Sequence, residues 1–238
     1  MTIADMHGLI EAAVQRRERL LIVSQNLHSV YLYHRDEKLR QLHALATHVR
    51  IDGMPLIFFG RWLGYPLEKE HRTGWMDWLD PFMREAQQRR WRLFYLGSKP
   101  GVAEEGARRL RQRYPGLDLA THHGYFTMEG EENERVLELI RQHAPDVLIV
   151  GMGMPRQERW LLANHDKLAA PVLLTSGAAI DYVAGEIPTP PRWLGPLGLE
   201  WLYRLASEPR RLWRRYLLEP WFAGALFVRD LWRLRRGA

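Results

Sequence analysis

The stretch Val147-Leu148-Ile149-Val150-Gly151-Met152-Gly153-Met154-Pro155-Arg156-Gln157-Glu158 joins a short apolar run, rich in β-branched residues, to two glycines and a proline. A run of that kind bounded by turn residues reads as a buried strand of a parallel sheet. The glycines let the backbone turn tightly, and Pro155 suits the first turn of a helix. Strand, tight turn and helix form the repeating unit of an α/β sheet, and the alternation continues in both directions from here.

Outward from this unit, strands are expected at Leu20 to Ser24, around Val49 to Asp52, at Arg92 to Leu96, near Leu117 to His122 and at Val172 to Ser176. Helical periodicity fills the gaps at Asp36 to Ala46, Trp75 to Arg89, Val102 to Tyr114, Glu131 to His143 and Gln157 to Leu168. The pattern implies an α/β fold, a Rossmann-like and mostly parallel sheet with helices on both faces. Such sheets bind ligands at the carboxyl ends of their strands, so function is sought in the loops that follow them. Pro188 to Pro196, with four prolines, can continue neither period and marks a boundary. Residues 1–195 are then expected to form one α/β domain and 196–238 a basic amphipathic helical appendage.

Composition narrows the classes. A chain of 238 residues accommodates one large α/β domain with a small addition. The absence of cysteine removes disulfides, thiolate metal sites and a cysteine nucleophile, and fits a reducing compartment. Met1 to Arg19 carries charges throughout and has no signal-peptide core. Leu168 to Ile180, thirteen residues free of Asp, Glu, Lys and Arg, is too short and too polar to span a bilayer. A cytoplasmic protein without a membrane span is the expectation. The net charge of +6 is confined to one place: from Trp201 onward there are nine arginines against three acids, and the first 200 residues are neutral.

Two strand-end turns could cradle a diphosphate with free backbone amides, Gly151 to Glu158 and Gly97-Ser98-Lys99-Pro100-Gly101. Each alone is equally an ordinary turn; two in register at successive strand ends favour a nucleotide. The three-glycine dinucleotide fingerprint and the Walker motif are absent, which disfavours a nicotinamide cofactor. Asp52, in Ile51-Asp52-Gly53-Met54-Pro55, would project a carboxylate over the sheet edge as a general base or merely cap a turn. Ser24-Gln25-Asn26 is a helix cap or a polar site lining. Asp181, after Ser176-Gly177-Ala178-Ala179-Ile180, holds a ribose or caps.

Six ordered motifs now stand together: Ser24-Gln25-Asn26, Asp52-Gly53, Gly97 to Gly101, Gly124-Tyr125-Phe126, Gly151 to Glu158 and Gly198-Leu199-Glu200-Trp201-Leu202-Tyr203-Arg204. From about Leu20 to about Tyr216 the chain resembles the WecG/TagA/CpsF family of glycosyltransferases. Val23 to His28 looks more like the exopolysaccharide glucosyltransferases than the teichoic acid N-acetylmannosamine transferases. The resemblance implies a metal-independent, inverting, UDP-sugar-dependent hexosyltransferase acting on a polyprenyl-diphosphate-linked saccharide in bacterial surface polysaccharide assembly. Carried over by motif, Asp52 is the catalytic base, and Ser24 and Asn26 are its polar companions. Gln157 contacts the sugar or diphosphate, with Gly97, Gly151, Gly153 and Glu158 around the donor. Tyr125 stacks near the uracil and Asp181 holds the ribose. The active-site arginine falls on Arg72, or on His71, because the spacing to Gly74 is off by one residue.

No cofactor and no metal is expected: no Asp-x-Asp sequence and no His-Glu-x-x-His sequence occurs. Adjacent strand residues such as His122 and His123 should point to opposite faces. On a helical wheel Arg210, Arg211, Arg214 and Arg215 share one face, opposite Leu212, Trp213, Tyr216 and Leu217. Arg229, Arg233 and Arg236 repeat the device among Trp221, Phe222, Leu226, Phe227, Leu231 and Trp232. Such helices suit an anionic membrane surface or a lipid-linked diphosphate. The bland reading has the aromatic residues packed on the domain and the arginines merely solvated. A competing class is a non-enzymatic nucleic-acid-binding module built on the tail, but a neutral body with ordered site-like loops argues against a nucleic-acid partner. A homo-oligomer is left open.

Overall fold

The computed structural model describes residues 1–195 and 197–236. Position 196, which opens the expected appendage, and the last two positions lie outside them. Six strands, β1 (Leu20–Gln25), β2 (His48–Ile51), β3 (Leu93–Gly97), β4 (Leu119–His122), β5 (Val147–Gly151) and β6 (Val172–Thr175), form one sheet in the order β2-β1-β6-β5-β3-β4. Every pairing is parallel. Alternate strand residues point to opposite faces, and each face meets its own helices. On one side Ile22, Tyr95, Ile149 and Leu174 pack against α1 (Ile3–Arg16), α5 (Trp75–Arg89), α6 (Val102–Arg113) and α9 (Ala179–Ala184). On the other, Val23, Phe94, Leu148 and Leu173 pack against α3 (Glu37–Leu45), α7 (Gly130–His143) and α8 (Arg156–Asn164). The α/β sheet expected from the sequence is therefore present, with its six strands within two residues of their expected bounds.

Several helices were not expected. In α1, Thr2 and Asp5 form a reciprocal capping box, a signal open to reading in the sequence. Helix α2 (Leu27–Tyr33) is capped by Asn26, whose side chain accepts from the amides of His28 and Ser29. Helix α4 (Met54–Trp62) is apolar on nearly all sides, so it shows no helical period.

Beyond the proline-rich segment come α10 (Glu200–Ser207), α11 (Pro209–Trp213), a π-helical stretch (Arg214–Leu218) and α12 (Glu219–Arg235). Helix α12 lies across α2 and α4: Phe222 meets Tyr31 edge-on, Phe227 stacks on Phe59 at 4.6 Å, and His28 pairs with Glu219 at 2.5 Å. The wheel drawn for 3.6 residues per turn does not survive the π stretch, whose wider turn shifts every later side chain around the axis. Arg210, Arg211 and Arg214 are exposed while Arg215 turns inward, so the four do not share a face.

Candidate active site

The site is assembled at the carboxyl edge of the sheet from two halves and a cover. The first half belongs to β2 and β1. Asp52 follows β2 directly, and its amide donates to the carbonyl of Gln25 at 2.8 Å, which continues the β1–β2 ladder by one residue. Beneath it lies Arg50, 1% exposed, with Nη1 3.6 Å from the Asp52 carboxylate. Arg50 also donates to the carbonyls of Thr73 and Thr175 and lies over the rings of Trp75 and Trp78. A buried guanidinium needs such company, since a lone buried charge is costly. Asp52 itself stays open: its side chain is 31% exposed, so one face is steadied by Arg50 and the other is presented to the cleft. Gly53 sits against Asn26, and a Cβ on Gly74 would stand 3.1 Å from the Asp52 Oδ1. Asp52, Asn26 and the Arg72-Thr73-Gly74 turn are thus brought together.

The other companions are differently placed. Ser24 is buried, and its hydroxyl is engaged with Thr175, donating to the carbonyl and accepting from Oγ1, both at 3.1 Å. It braces β1 against β6 under the site rather than lining the cleft. Arg72 is buried and held by two carboxylates, Glu200 at 2.7 Å and Asp77. It ties the turn beside Asp52 to α10. His71 accepts the amide of Glu68 on Nδ1 at 2.8 Å.

The second half lies where β5 and β3 meet, a place where their following loops diverge and leave a crevice. Gly97 and Gly151 face each other in register, and a Cβ on Gly97 would fall 2.3 Å from the Gly151 carbonyl. Only glycine fits. Ser98 donates to Asp181 at 2.9 Å, and Arg156 holds the carbonyls of Gly124 and Phe126, which fixes the loop carrying the exposed Tyr125. Burial raises the Asp181 pKa above its ordinary value, an effect opposed by the Ser98 hydrogen bond. Gly153 turns the chain with φ +78° into α8. Gln157 is 0% exposed: its Oε1 accepts from the Gly177 amide at 3.0 Å, and its Nε2 donates to Glu158 at 2.6 Å. Both residues stand behind the cleft wall. Burial pushes the Glu158 carboxyl up to about 7.

Three strand spacings of about 4.8 Å separate the ends of β2 and β5, or ~14 Å. The tail covers the gap. Asp52 lies close enough to Arg204 and Arg215 for its charge to act on both. Burial works against the charge of Arg204, yet Tyr216, Tyr182, Glu208 and Asp52 hold its pKa above the ordinary value. Burial lowers that of Arg215, helped by Arg204, against Tyr216, Glu219 and Asp52. Among the described residues neither arginine has a carboxylate within 4.0 Å, so the cover brings two cations to the cleft that no ion pair neutralises.

Sequence reasoning passed over Arg50, and it assigned no role to Glu200, Arg204 or Arg156 although these stand in the quoted motifs. A charged residue amid a short strand was a signal for Arg50; the others are contacts across long separations. The two histidines also differ from expectation: His123 lies past the end of β4, where strand alternation no longer holds, and the rings sit 4.4 Å apart. Among the described residues no three His, Cys, Asp or Glu side chains are grouped to hold a metal ion, and no helix is long and apolar enough to cross a membrane.

Comparison with known proteins bears on this arrangement. The sequence profile of the glycosyl transferase WecG/TagA/CpsF family matches residues 1–237. Similar relatives include the N-acetylglucosaminyldiphosphoundecaprenol N-acetyl-beta-D-mannosaminyltransferases of Staphylococcus aureus strains MW2, NCTC 8325 and COL. Each is 29% identical over 202 residues, 85% of this chain and 78% of the relative. With a profile match that runs from before the first helix through the basic tail, this chain belongs to the WecG/TagA/CpsF family of glycosyltransferases.

Proposed function

We propose that this glycosyltransferase moves a hexosyl group from a UDP-sugar to a polyprenyl-diphosphate-linked saccharide, with inversion and without a metal. The observation that carries the reading is the half-open Asp52 carboxylate, steadied by Arg50 at 3.6 Å, with Arg204 and Arg215 of the tail within range of its charge. Asp52 takes the proton of the acceptor hydroxyl as its oxygen attacks the anomeric carbon, and the bond from that carbon to the β-phosphate oxygen breaks. Negative charge then grows on the departing diphosphate. Arg204, Arg215 and the backbone amides of Gly151 to Gln157 suit its neutralisation, because fixed donors cost no reorganisation. Arg72 is less suited, since Asp77 and Glu200 already balance it. The donor would lie along the strand ends, uracil toward Tyr125 and ribose toward Asp181, with the sugar toward Asp52.

The acceptor reading is supported by the names of the relatives and by α12. Its Phe222, Ala223 and Phe227 face the body, whereas Trp221, Val228 and Trp232 are 78%, 63% and 52% exposed. Residues 221, 225, 228 and 232 form one outward apolar stripe, flanked by the exposed Arg229, Arg233 and Arg236. A tryptophan-bearing stripe edged by arginine suits the headgroup region of an anionic bilayer, where each cation contributes about 1 kcal/mol. The cleft would then open at the inner membrane face where lipid-linked acceptors reside.

The test is UDP release from a panel of UDP-sugars, including glucose and N-acetylmannosamine donors, with short polyprenyl-diphosphate saccharides, with and without chelator. Acceptor-dependent release that survives EDTA is expected. Release that needs no acceptor, or that chelator abolishes, would overturn the scheme. The glucose preference of the Val23 to His28 segment and the N-acetylmannosamine transfer named for the relatives are decided by the same panel.

A further inference from the structure

Gln157 and Glu158 form a buried relay that the proposed chemistry does not use directly. Each atom of the Gln157 amide is engaged: Oε1 accepts from the Gly177 amide at 3.0 Å, and Nε2 donates to Glu158 Oε1 at 2.6 Å. An amide side chain can flip end for end, and here both neighbours favour one orientation: the Gly177 N–H calls for Oε1, and the Glu158 oxygen calls for Nε2. Were the amide reversed, Nε2 would oppose the Gly177 N–H, donor against donor.

What Gln157 holds is itself a demanding piece of backbone. Gly177 has φ +58°, and its carbonyl accepts from the buried Tyr95 hydroxyl at 3.1 Å. Gly177, between β6 and α9, is therefore clamped on both sides, its carbonyl by Tyr95 and its N–H by Gln157. This same peptide bears on the cleft floor: a Cβ on Gly151 would meet the Gly177 carbonyl at 2.7 Å, and Asp181 follows within one turn.

We infer that Glu158 is a positioning residue: by accepting from Gln157 it orients that amide, and so fixes the Gly177 turn that sets Asp181 and the floor of the nucleotide cleft. The remaining oxygen, Oε2, is buried and has no hydrogen-bond partner. Burial there favours the neutral carboxyl, because the ionised form costs far more to remove from water. The charged groups that face it are Asp36, at the start of α3, and Arg215 of the tail. Neither reaches Oε2 as a partner, so its orienting role rests on Oε1 alone, and a neutral amide can perform it.

The part of this inference that concerns the nucleotide rests on the proposed UDP-sugar reading; the orienting role does not. Amide hydrogen exchange across residues 175–181 of the full chain tests the latter directly. Glu158→Gln keeps an acceptor for Gln157 and should retain protection at Gly177 within about twofold. Glu158→Leu removes the acceptor, and exchange there should quicken by at least tenfold. If Glu158→Leu does not fold, Glu158→Met removes the acceptor while leaving Gln157 and its bond to Gly177 in place, and must show the same loss. UDP affinity, measured by calorimetry on the same proteins, should weaken about tenfold in the Leu variant and recover in the Gln variant. Unchanged exchange at Gly177 in Glu158→Leu, or equal loss in Glu158→Gln, overturns the inference. Failure of the unaltered protein to bind UDP would instead remove the functional reading, with the exchange result still decisive for the relay.

Discussion

Replacing Asp52 by Asn keeps the shape of the side chain and removes its charge, and the structure separates the two effects this should have. Loss of a general base typically slows a reaction about 10²- to 10⁴-fold, or about 3 to 5 kcal/mol in barrier height. The second effect falls on Arg50, which is 1% exposed and has Asp52, at 3.6 Å, as its carboxylate neighbour. Breaking a fully buried pair from one side costs about 3 to 5 kcal/mol. Here the cost is smaller: Asp52 is 31% exposed, and Arg50 keeps the carbonyls of Thr73 and Thr175 and the rings of Trp75 and Trp78. About 1 to 2 kcal/mol is reasonable, which for a chain of this size lowers the melting temperature by about 2 to 8 °C. The assay is the initial rate of acceptor-dependent UDP release, with calorimetric UDP binding and thermal melting on the same preparation. A rate at least 100-fold lower, with UDP affinity within about threefold, is expected. An Asp52→Asn enzyme that melts lower yet turns over within tenfold of the native rate would refute the reasoning, and leave Asp52 as a support for Arg50 alone.

Arg215→Ala removes a cation from the cleft cover, and kcat/KM for the donor should fall about 10- to 100-fold, the worth of a charge-assisted hydrogen bond; a change under threefold would take the diphosphate away from Arg215. Gly97→Ala drives a methyl group into the Gly151 carbonyl, so a loss of about 3 kcal/mol or more in urea unfolding is expected, and native-like stability would mean the two strand ends part easily. Glu158 makes stability depend on pH in a stated direction: with its pKa raised from 4.5 to about 7, the folded chain keeps a proton that the unfolded chain has lost, so stability falls as pH rises between those values. Glu158→Gln carries no such proton, and its stability advantage over the native chain should grow by up to about 3 kcal/mol from pH 4.5 to pH 7 and then level off; an advantage that stays flat would show that the carboxyl ionises normally. Trp221→Ser with Trp232→Ser, both on the outward stripe of α12, should weaken binding to anionic vesicles at least tenfold at low salt, read by co-sedimentation, and undiminished binding would place the membrane surface elsewhere.

The sheet was open to reading because its inner strands are buried on both faces. Val147 to Val150 and Val172 to Leu174 must be continuously apolar wherever they sit in the fold, so composition alone marks them. Periodic helices such as α5 and α6 were legible for the same local reason. Helix α4, apolar all round, offered no period, and α2 is only seven residues long with its signal concentrated in one cap at Asn26. In the site, glycines forced by close backbone approach, Gly97 and Gly151, could be picked out as turns. That they face each other in register could not.

What the sequence determined by itself was the sequence-local part: an α/β chain, two glycine turns after strands, a carboxylate after the second strand, and an excess of arginine beyond residue 200. The order β2-β1-β6-β5-β3-β4 belongs to tertiary structure, because strand neighbours are chosen by which helices can cover which face. Only that order carries Thr175 beneath Ser24 and Gly177 beside Gln157. The tail divides the same way. Its charge and its amphipathic character are local, but the π-helical turn that sends Arg215 inward while Arg214 stays in water becomes visible only where α12 is seated on α2 and α4. The direction of a side chain there is fixed by packing across nearly two hundred residues of separation, which no local pattern encodes.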